Sequence, residues 1–396
     1  MQTTSGQPAA VPPHMTPIDG ANALRARVAA CAEQIERDRR LPTDLVRELA
    51  GAGLFRMCVP RALGGGEVDA ATMVRAIEAV AQADGAAGWC VMIGATSGLV
   101  SAYLPESAAR EIYGDPNMVT GGVFAPHGKA ITVDGGYRAT GRWAFASGCQ
   151  HCGWLMGGCV VIDAGQPRLL PSGLPDVRMV LFPASDAEVI DTWNVSGLRG
   201  TGSHDIAVRD LVVPHERSVS LLTDRPRQSG PLYVFPVFGL LALGIAGVAL
   251  GIARRAIDEL IQIAGAKTPS GSRKRLADRA IIQMHVAQAE ALLRAGRAFL
   301  FESVEQTWDA AVTRGAIALE QRALLRLAAT HATTSAAQAV DLMYNAGGGT
   351  SIYATSPLQR CFRDIHVVTQ HMMVAAPTYE VSGRVLLGID TDTSQL

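Results

Sequence analysis

Residues 360–373 read RCFRDIHVVTQHMM, and the rest of the chain is organised around them. Ser356 and Pro357 precede the stretch as an N-cap and first helical residue, Gln359 stands where a capping box would close, and Pro377 ends the run. The spacing therefore predicts one helix over 357–375. On that helix Asp364, Val367, Val368 and His371 fall on one side. His366 lies five residues before His371, roughly 140° around the axis, so the two cannot grip a metal as an i, i+4 pair. His371 reads as a lone imidazole, facing either a pocket or a core where it would bond a carbonyl.

Upstream of that helix the chain is helical at both ends and strand-like in the middle. Residues 1–16 are Thr, Ser, Gln, Pro and Ala without periodicity and read as a disordered lead. From residue 17 to 117 helical patterning dominates, with Leu24, Val28, Cys31 and Ile35 on one face and a break at Leu41-Pro42-Thr43. Between 118 and 222 short runs of strand formers alternate with glycine pairs, and Asp134-Gly135-Gly136 signals a hairpin. Helical periodicity returns from 223 to 396. The expectation is an α+β, mostly α chain: an N-terminal helical domain, a central antiparallel β-barrel or sandwich, and a C-terminal helical bundle.

Composition narrows the partners. The 396 residues are 48% hydrophobic and carry a net charge of -1, so no broad basic field invites nucleic acid. Seven cysteines form an odd, scattered set, which suits a reducing cytoplasm. The Cys149-Gln-His-Cys152 pair has no second pair at zinc-ribbon distance. Residues 232–253 are apolar enough to span a bilayer but contain Pro236 and four glycines, lack clear flanking charge asymmetry and run into Arg254-Arg255. They read as a helix buried inside a bundle rather than in a membrane. No Walker loop, GxSxG elbow or HExxH occurs, and Gly197-Leu-Arg-Gly-Thr-Gly202 lacks the Rossmann glycine order.

Several segments, in order, resemble the acyl-CoA dehydrogenase superfamily. They are Gly53-Leu54-Phe55 to Val59-Pro60 with Gly64-Gly65, Gly141-Arg142-Trp143 through Ser147-Gly148, and Trp193-Asn194-Val195-Ser196-Gly197-Leu198-Arg199-Gly200-Thr201-Gly202-Ser203 leading to Val213-Pro214. Gly347-Gly348 and Arg363-Asp364 complete the set. The resemblance implies a C-terminal four-helix bundle, flavin bound between domains and a homotetramer. Dehydrogenases of this family need a carboxylate to remove a proton α to a thioester carbonyl. The usual position of that base is Met372 here, and the alternative helix has no acid between Asp224 and Asp258.

Beside that position stands His371, a recurring feature of the family's oxygenase branch, the oxygen-using components of two-component flavin monooxygenases. Asp84-Gly85-Ala86-Ala87-Gly88-Trp89-Cys90 and Phe145-Ala146-Ser147-Gly148 are also similar to that branch. The resemblance implies reduced flavin (FADH2 or FMNH2) from a separate NAD(P)H-flavin reductase, O2, a C4a-hydroperoxyflavin and a small aromatic substrate of phenol or indole type. His371 would hold the peroxide or take a substrate proton, and Ser147 would donate to flavin N5 or O4. Trp143 and Phe145 would wall the flavin ring, Arg273, Gly347 and Gly348 would meet its phosphate, and Trp89 would wall the substrate. Core packing for Trp143 and Phe145, a solvated loop for Arg273 and a helix end for Gly347-Gly348 stay open as structural alternatives. Two other functions also remain: a dehydrogenase whose base is relocated, for instance to Glu380, and a non-catalytic flavoprotein.

Overall fold

A computed structural model describes residues 15–396, so most of the expected lead lies outside the described residues. The first helix, α1 (Pro17–Asp38), opens on a capping box in which Thr16 and Asp19 satisfy each other's backbone amides. It is followed by α2 (Thr43–Gly51), α3 (Ala70–Ala83), α4 (Gly85–Ser97) and α5 (Glu106–Tyr113). Asp69 and Asp84 cap α3 and α4 through the amides of Thr72 and Ala87, which is why the chain can turn sharply between two buried helices.

Strands β1 (Thr120–Val133), β2 (Gly136–Trp143), β3 (Trp154–Asp163), β4 (Gln166–Pro167), β5 (Val177–Pro183), β6 (Glu188–Ile190), β7 (Asp205–Pro214) and β8 (Ser218–Val219) form one sheet in the order β6-β7-β2-β1-β3-β5-β8, with β4 on β3. The pairing is antiparallel, as expected, except between β1 and β3, which run parallel. The chain returns from β2 to β3 through residues 144–153 instead of a tight hairpin, and that crossover carries Ser147. Side chains alternate as the pleat requires. Leu155, Val180 and Phe182 enter a core enclosed by the sheet itself. Trp154, Met156, Met179 and Leu181 face the opposite way, onto Val100, Ile112 and Tyr113 of the helical layer.

The C-terminal part contains α6 (Pro231–Val234), α7 (Val237–Ala266), α8 (Ala280–Arg314), α9 (Leu319–Gly347), α10 (Pro357–Val368) and α11 (Pro377–Leu386). The apolar segment expected to be buried is α7, packed among α3, α4, α9 and α10. Two helical segments, 85–102 and 237–266, are long and apolar enough to cross a membrane, and each has most of its apolar window buried inside the fold.

The helix expected over 357–375 stops at Val368. Ser356 makes no capping bond, and Gln359 instead donates to Ala354 O and accepts from Arg363. At the other end Thr369 bonds back to His366 O, while the His371 carbonyl accepts the amides of Val374 and Ala375. These local bonds compete with the helical ladder and turn the chain before Pro377. His371 therefore sits in the turn after α10, not on the face of Asp364 and Val368.

Candidate active site

Ser147 is placed by a strained crossover. Phe145 (φ 66°) and Gly148 (φ 72°) both adopt left-handed backbone, unusual for a phenylalanine and a mark of a locally over-determined turn. The turn is pinned by Ala146 N to His204 O at 3.0 Å and Gly148 N to Thr201 O at 2.8 Å. Its consequence is to push the Phe145 ring outward, 71% exposed, edge-on to Trp193, and the Ser147 hydroxyl inward.

That hydroxyl is buried against α4. Trp89 Nε1 donates to Ser147 Oγ at 3.0 Å, and Ser147 Oγ lies 2.7 Å from Ser203 Oγ. Ser203 Oγ is in turn 2.6 Å from Thr201 Oγ1, which donates to Leu198 O at 2.9 Å. Each hydroxyl has one hydrogen. Where Thr201 spends its hydrogen on the carbonyl, Ser203 donates to Thr201 and Ser147 to Ser203, which leaves Ser147 a lone pair to offer; in the reverse run Ser147 keeps the hydrogen of the donor role expected of it.

The same Trp89 indole meets the His371 imidazole, ring centres 5.7 Å apart. Burial, with a smaller contribution from the Arg326 charge, pushes the His371 pKa down to about 4, so the ring is neutral at ordinary pH. Its Nδ1 accepts the Met373 amide at 3.2 Å, which puts the proton on Nε2. His371 is therefore built as a hydrogen-bond donor; a base at that nitrogen would need the other tautomer. Met372 beside it is 60% exposed. Glu380 lies exposed on the first turn of α11.

A buried carboxylate locks α10 to the loop that carries Thr201 and Ser203. Asp364 accepts the Leu198 amide at 2.6 Å, and Arg363 Nη1 reaches the neighbouring Ser196 carbonyl. Burial first, then the nearby Asp84 charge, raise the Asp364 pKa to about 7. A Cβ at Gly197 would stand 2.2 Å from Arg363 O, so only glycine lets loop and helix approach this closely.

Among the other residues singled out from the sequence, Trp143 is a correction. Its ring is fully buried in the β core, donates to Gly158 O at 2.7 Å and fills a slot where a Cβ on Gly128, Gly141 or Gly157 would collide with it. It cannot wall a ligand from there. Gly347 ends α9, and Gly348 takes left-handed backbone (φ 57°). Lys267 ties the start of the 267–275 loop to this turn by donating to Gly347 O and Thr350 Oγ1 at 3.0 and 2.6 Å. Arg273 is exposed further along that loop.

Sequence reasoning missed Lys267, Ser203, Thr201 and Arg326. The two hydroxyls lie in a segment whose glycines drew attention instead. Arg326 on α9 is buried and donates to Phe238 O and Gln395 O, with burial holding its pKa down at about 10. Nothing in its helical context distinguishes it in one dimension.

A flavin ring system needs apolar walls, little water and a few fixed polar atoms. Exposed Phe145 and Met372, buried Ser147 and half-buried His371 are side chains of those kinds. Comparison with known proteins agrees. Residues 21–111 match the acyl-CoA dehydrogenase N-terminal domain and residues 243–376 its C-terminal domain. The chain is 35% identical to an indole-3-acetate monooxygenase of Pseudomonas putida over 90% of this chain and 89% of that one. It is 28% identical to the oxygenase component of an FADH2-dependent resorcinol hydroxylase from Rhizobium sp., over 92% of each. The solved structure of XiaF from Streptomyces sp., in complex with FADH2 and glycerol, superposes with a TM-score of 0.87 at 27% identity, covering 94% of this chain and 95% of that one. On these matches, this chain belongs to the acyl-CoA dehydrogenase superfamily, in its branch of two-component flavin-dependent monooxygenases.

Proposed function

We propose that the protein hydroxylates a small, planar aromatic of indole or phenol type, using reduced flavin delivered by a separate NAD(P)H-dependent reductase. The single observation that carries this reading is His371, a neutral, Nε2-protonated imidazole packed on Trp89 next to Met372. Bound reduced flavin supplies the two electrons that activate O2. His371 offers Nε2–H to the oxygen being activated, and Ser147 offers a lone pair to the flavin.

The substrate side is apolar. Trp89, Ile93 and Thr96 follow one another along one face of α4, and the Thr96 hydroxyl turns back to Met92 O at 2.8 Å. The small cavity lined by Thr96, Leu99, Phe124, Phe238 and Leu241 has room for about one water, so a ring would enter only where these side chains part. An apolar lining of this kind favours a flat ring over a sugar or a coenzyme A thioester. The indole-3-acetate monooxygenase likeness supports the indole choice.

We assign Arg273 and the Gly347-Gly348 turn to the flavin phosphate; Lys267, earlier in the same loop as Arg273, bonds that turn. Ile281 and Met284, neighbours at the start of α8, leave apolar surface exposed, which favours burial against further copies in a homotetramer.

The test is a single turnover. Protein preloaded anaerobically with FMNH2 or FADH2 is mixed with oxygenated buffer containing indole, indole-3-acetate or phenol. Oxygenated product is expected. Flavin that reoxidises with stoichiometric peroxide on every ring tried, together with bleaching of oxidised flavin by an acyl-CoA, would favour the dehydrogenase instead.

A further inference from the structure

The run of hydroxyls behind Ser147 has a direction. With Thr201 Oγ1 donating to Leu198 O at 2.9 Å, the run is complete when Ser203 donates to Thr201 and Ser147 to Ser203, across oxygen separations of 2.6 and 2.7 Å. Trp89 Nε1–H closes the far end by donating to Ser147. All four residues are buried, so no bulk water competes for these bonds. Ser147 is left as an acceptor with one unused lone pair.

Reversing the run is possible in principle. Leu198 O also accepts the Trp193 indole at 3.1 Å and the Thr201 amide at 3.1 Å, so it would not be orphaned. Reversal nevertheless needs three hydroxyls to rotate together and Thr201 to abandon its carbonyl. It also leaves the Ser147 hydrogen pointing outward, unpaired unless a ligand accepts it. An unpaired buried hydrogen is costly, so the forward direction is the resting one.

The two redox forms of a flavin differ at one relevant atom. N5 carries a hydrogen in dihydroflavin and only a lone pair in oxidised flavin. A site that offers a lone pair suits the first without rearrangement and meets the second with two lone pairs opposed.

We propose that Ser203 and Thr201 are positioning residues that hold Ser147 as an acceptor, so that the site takes up dihydroflavin in preference to oxidised flavin. This rests on the reading that flavin N5 meets Ser147. The discrimination is set two residues behind the contact, in the Thr201-to-Leu198 bond that fixes the direction of the run. It favours loading with cofactor that a reductase has just released and discharge of the same cofactor once it is spent.

The experiment measures dissociation constants for FMN and FMNH2, and for FAD and FADH2, anaerobically, in the wild type and in Thr201→Val, Thr201→Ser and Ser203→Ala. Circular dichroism and melting confirm that each variant is folded. The wild type is expected to bind the reduced form more tightly. Thr201→Val and Ser203→Ala each free the Ser147 hydrogen to point outward, so the oxidised-to-reduced ratio should narrow by about three- to tenfold, the span of one neutral hydrogen bond. Thr201→Ser keeps the hydroxyl and should keep the ratio. A ratio unchanged in both Thr201→Val and Ser203→Ala, or narrowed equally in Thr201→Ser, overturns the proposal while leaving the flavin site standing. A wild type that binds neither redox form removes the flavin reading and this inference with it.

Discussion

The His371 imidazole and the Trp89 indole stand 5.7 Å apart with their planes tilted by 58°, and the edge of the same indole donates to Ser147. One tryptophan thereby holds both polar groups of the site at a set separation. Contact with that apolar ring contributes to the desolvation that keeps His371 neutral.

His371→Ala should leave the fold intact and shift the outcome of each turnover from oxygenated product to free peroxide. The yield of product per flavin should fall by about 10²-fold, the usual effect of deleting one donor aimed at developing charge. Because burial sets the His371 pKa near 4 and Nε2 carries its hydrogen in both charge states, the wild-type yield should be flat from pH 6 to 8. A yield that titrates with a midpoint near 6.5 would mean the imidazole is solvated and acts as a base.

Asp364→Asn separates burial from charge. The Asp364 pKa is raised to about 7 from an ordinary 3.8, so between those values the folded chain binds more protons than the unfolded one. This group's contribution is therefore fully present below pH 3.8 and is lost as pH rises through 7. Asparagine keeps the acceptor for Leu198 without the ionisation. The melting temperature of the variant minus that of the wild type should grow between pH 5.5 and pH 8.5; a difference that shrinks over that range refutes the assignment.

Gly197→Ala should be among the most disruptive single methyl additions in the chain. The added carbon would meet the Arg363 backbone at 2.2 Å, prising the 196–203 loop from α10 and stretching the Leu198–Asp364 bond. Overpacking of this kind costs about 1–3 kcal/mol, readable as a lowered urea midpoint. Reduced-flavin affinity should fall in parallel, since Thr201 and Ser203 ride on the same loop. An alanine variant with wild-type midpoint and affinity would show that loop and helix can part freely.

Arg273→Ala tests the phosphate end. If the guanidinium meets the flavin phosphate, the variant should lose about two- to fivefold in affinity for FMNH2, in keeping with an exposed ion pair, and nothing for dihydroriboflavin, which has no phosphate. Equal losses for both ligands would assign Arg273 to loop structure instead.

The sequence alone determined the order of helices, strands and helices, since that follows from hydrophobic periodicity, which is local. It also determined that Met372 cannot serve as a base and that a histidine adjoins it, because side-chain chemistry at a position needs no coordinates. Only the tertiary structure decided what those residues do. Burial set the His371 charge, and the Met373 amide chose its tautomer. The turn after Val368 moved His371 off the face predicted for it, through side-chain bonds that compete with the helix. Trp143 and Phe145, two residues apart, parted company: glycines on neighbouring strands opened a slot for the first, and a left-handed backbone turned the second outward. Hydroxyls of the distant 201–203 segment met Ser147 from behind and favour one polarity for it. These outcomes depend on which groups lie a few ångströms away across the fold, information that spacing along a single chain does not contain.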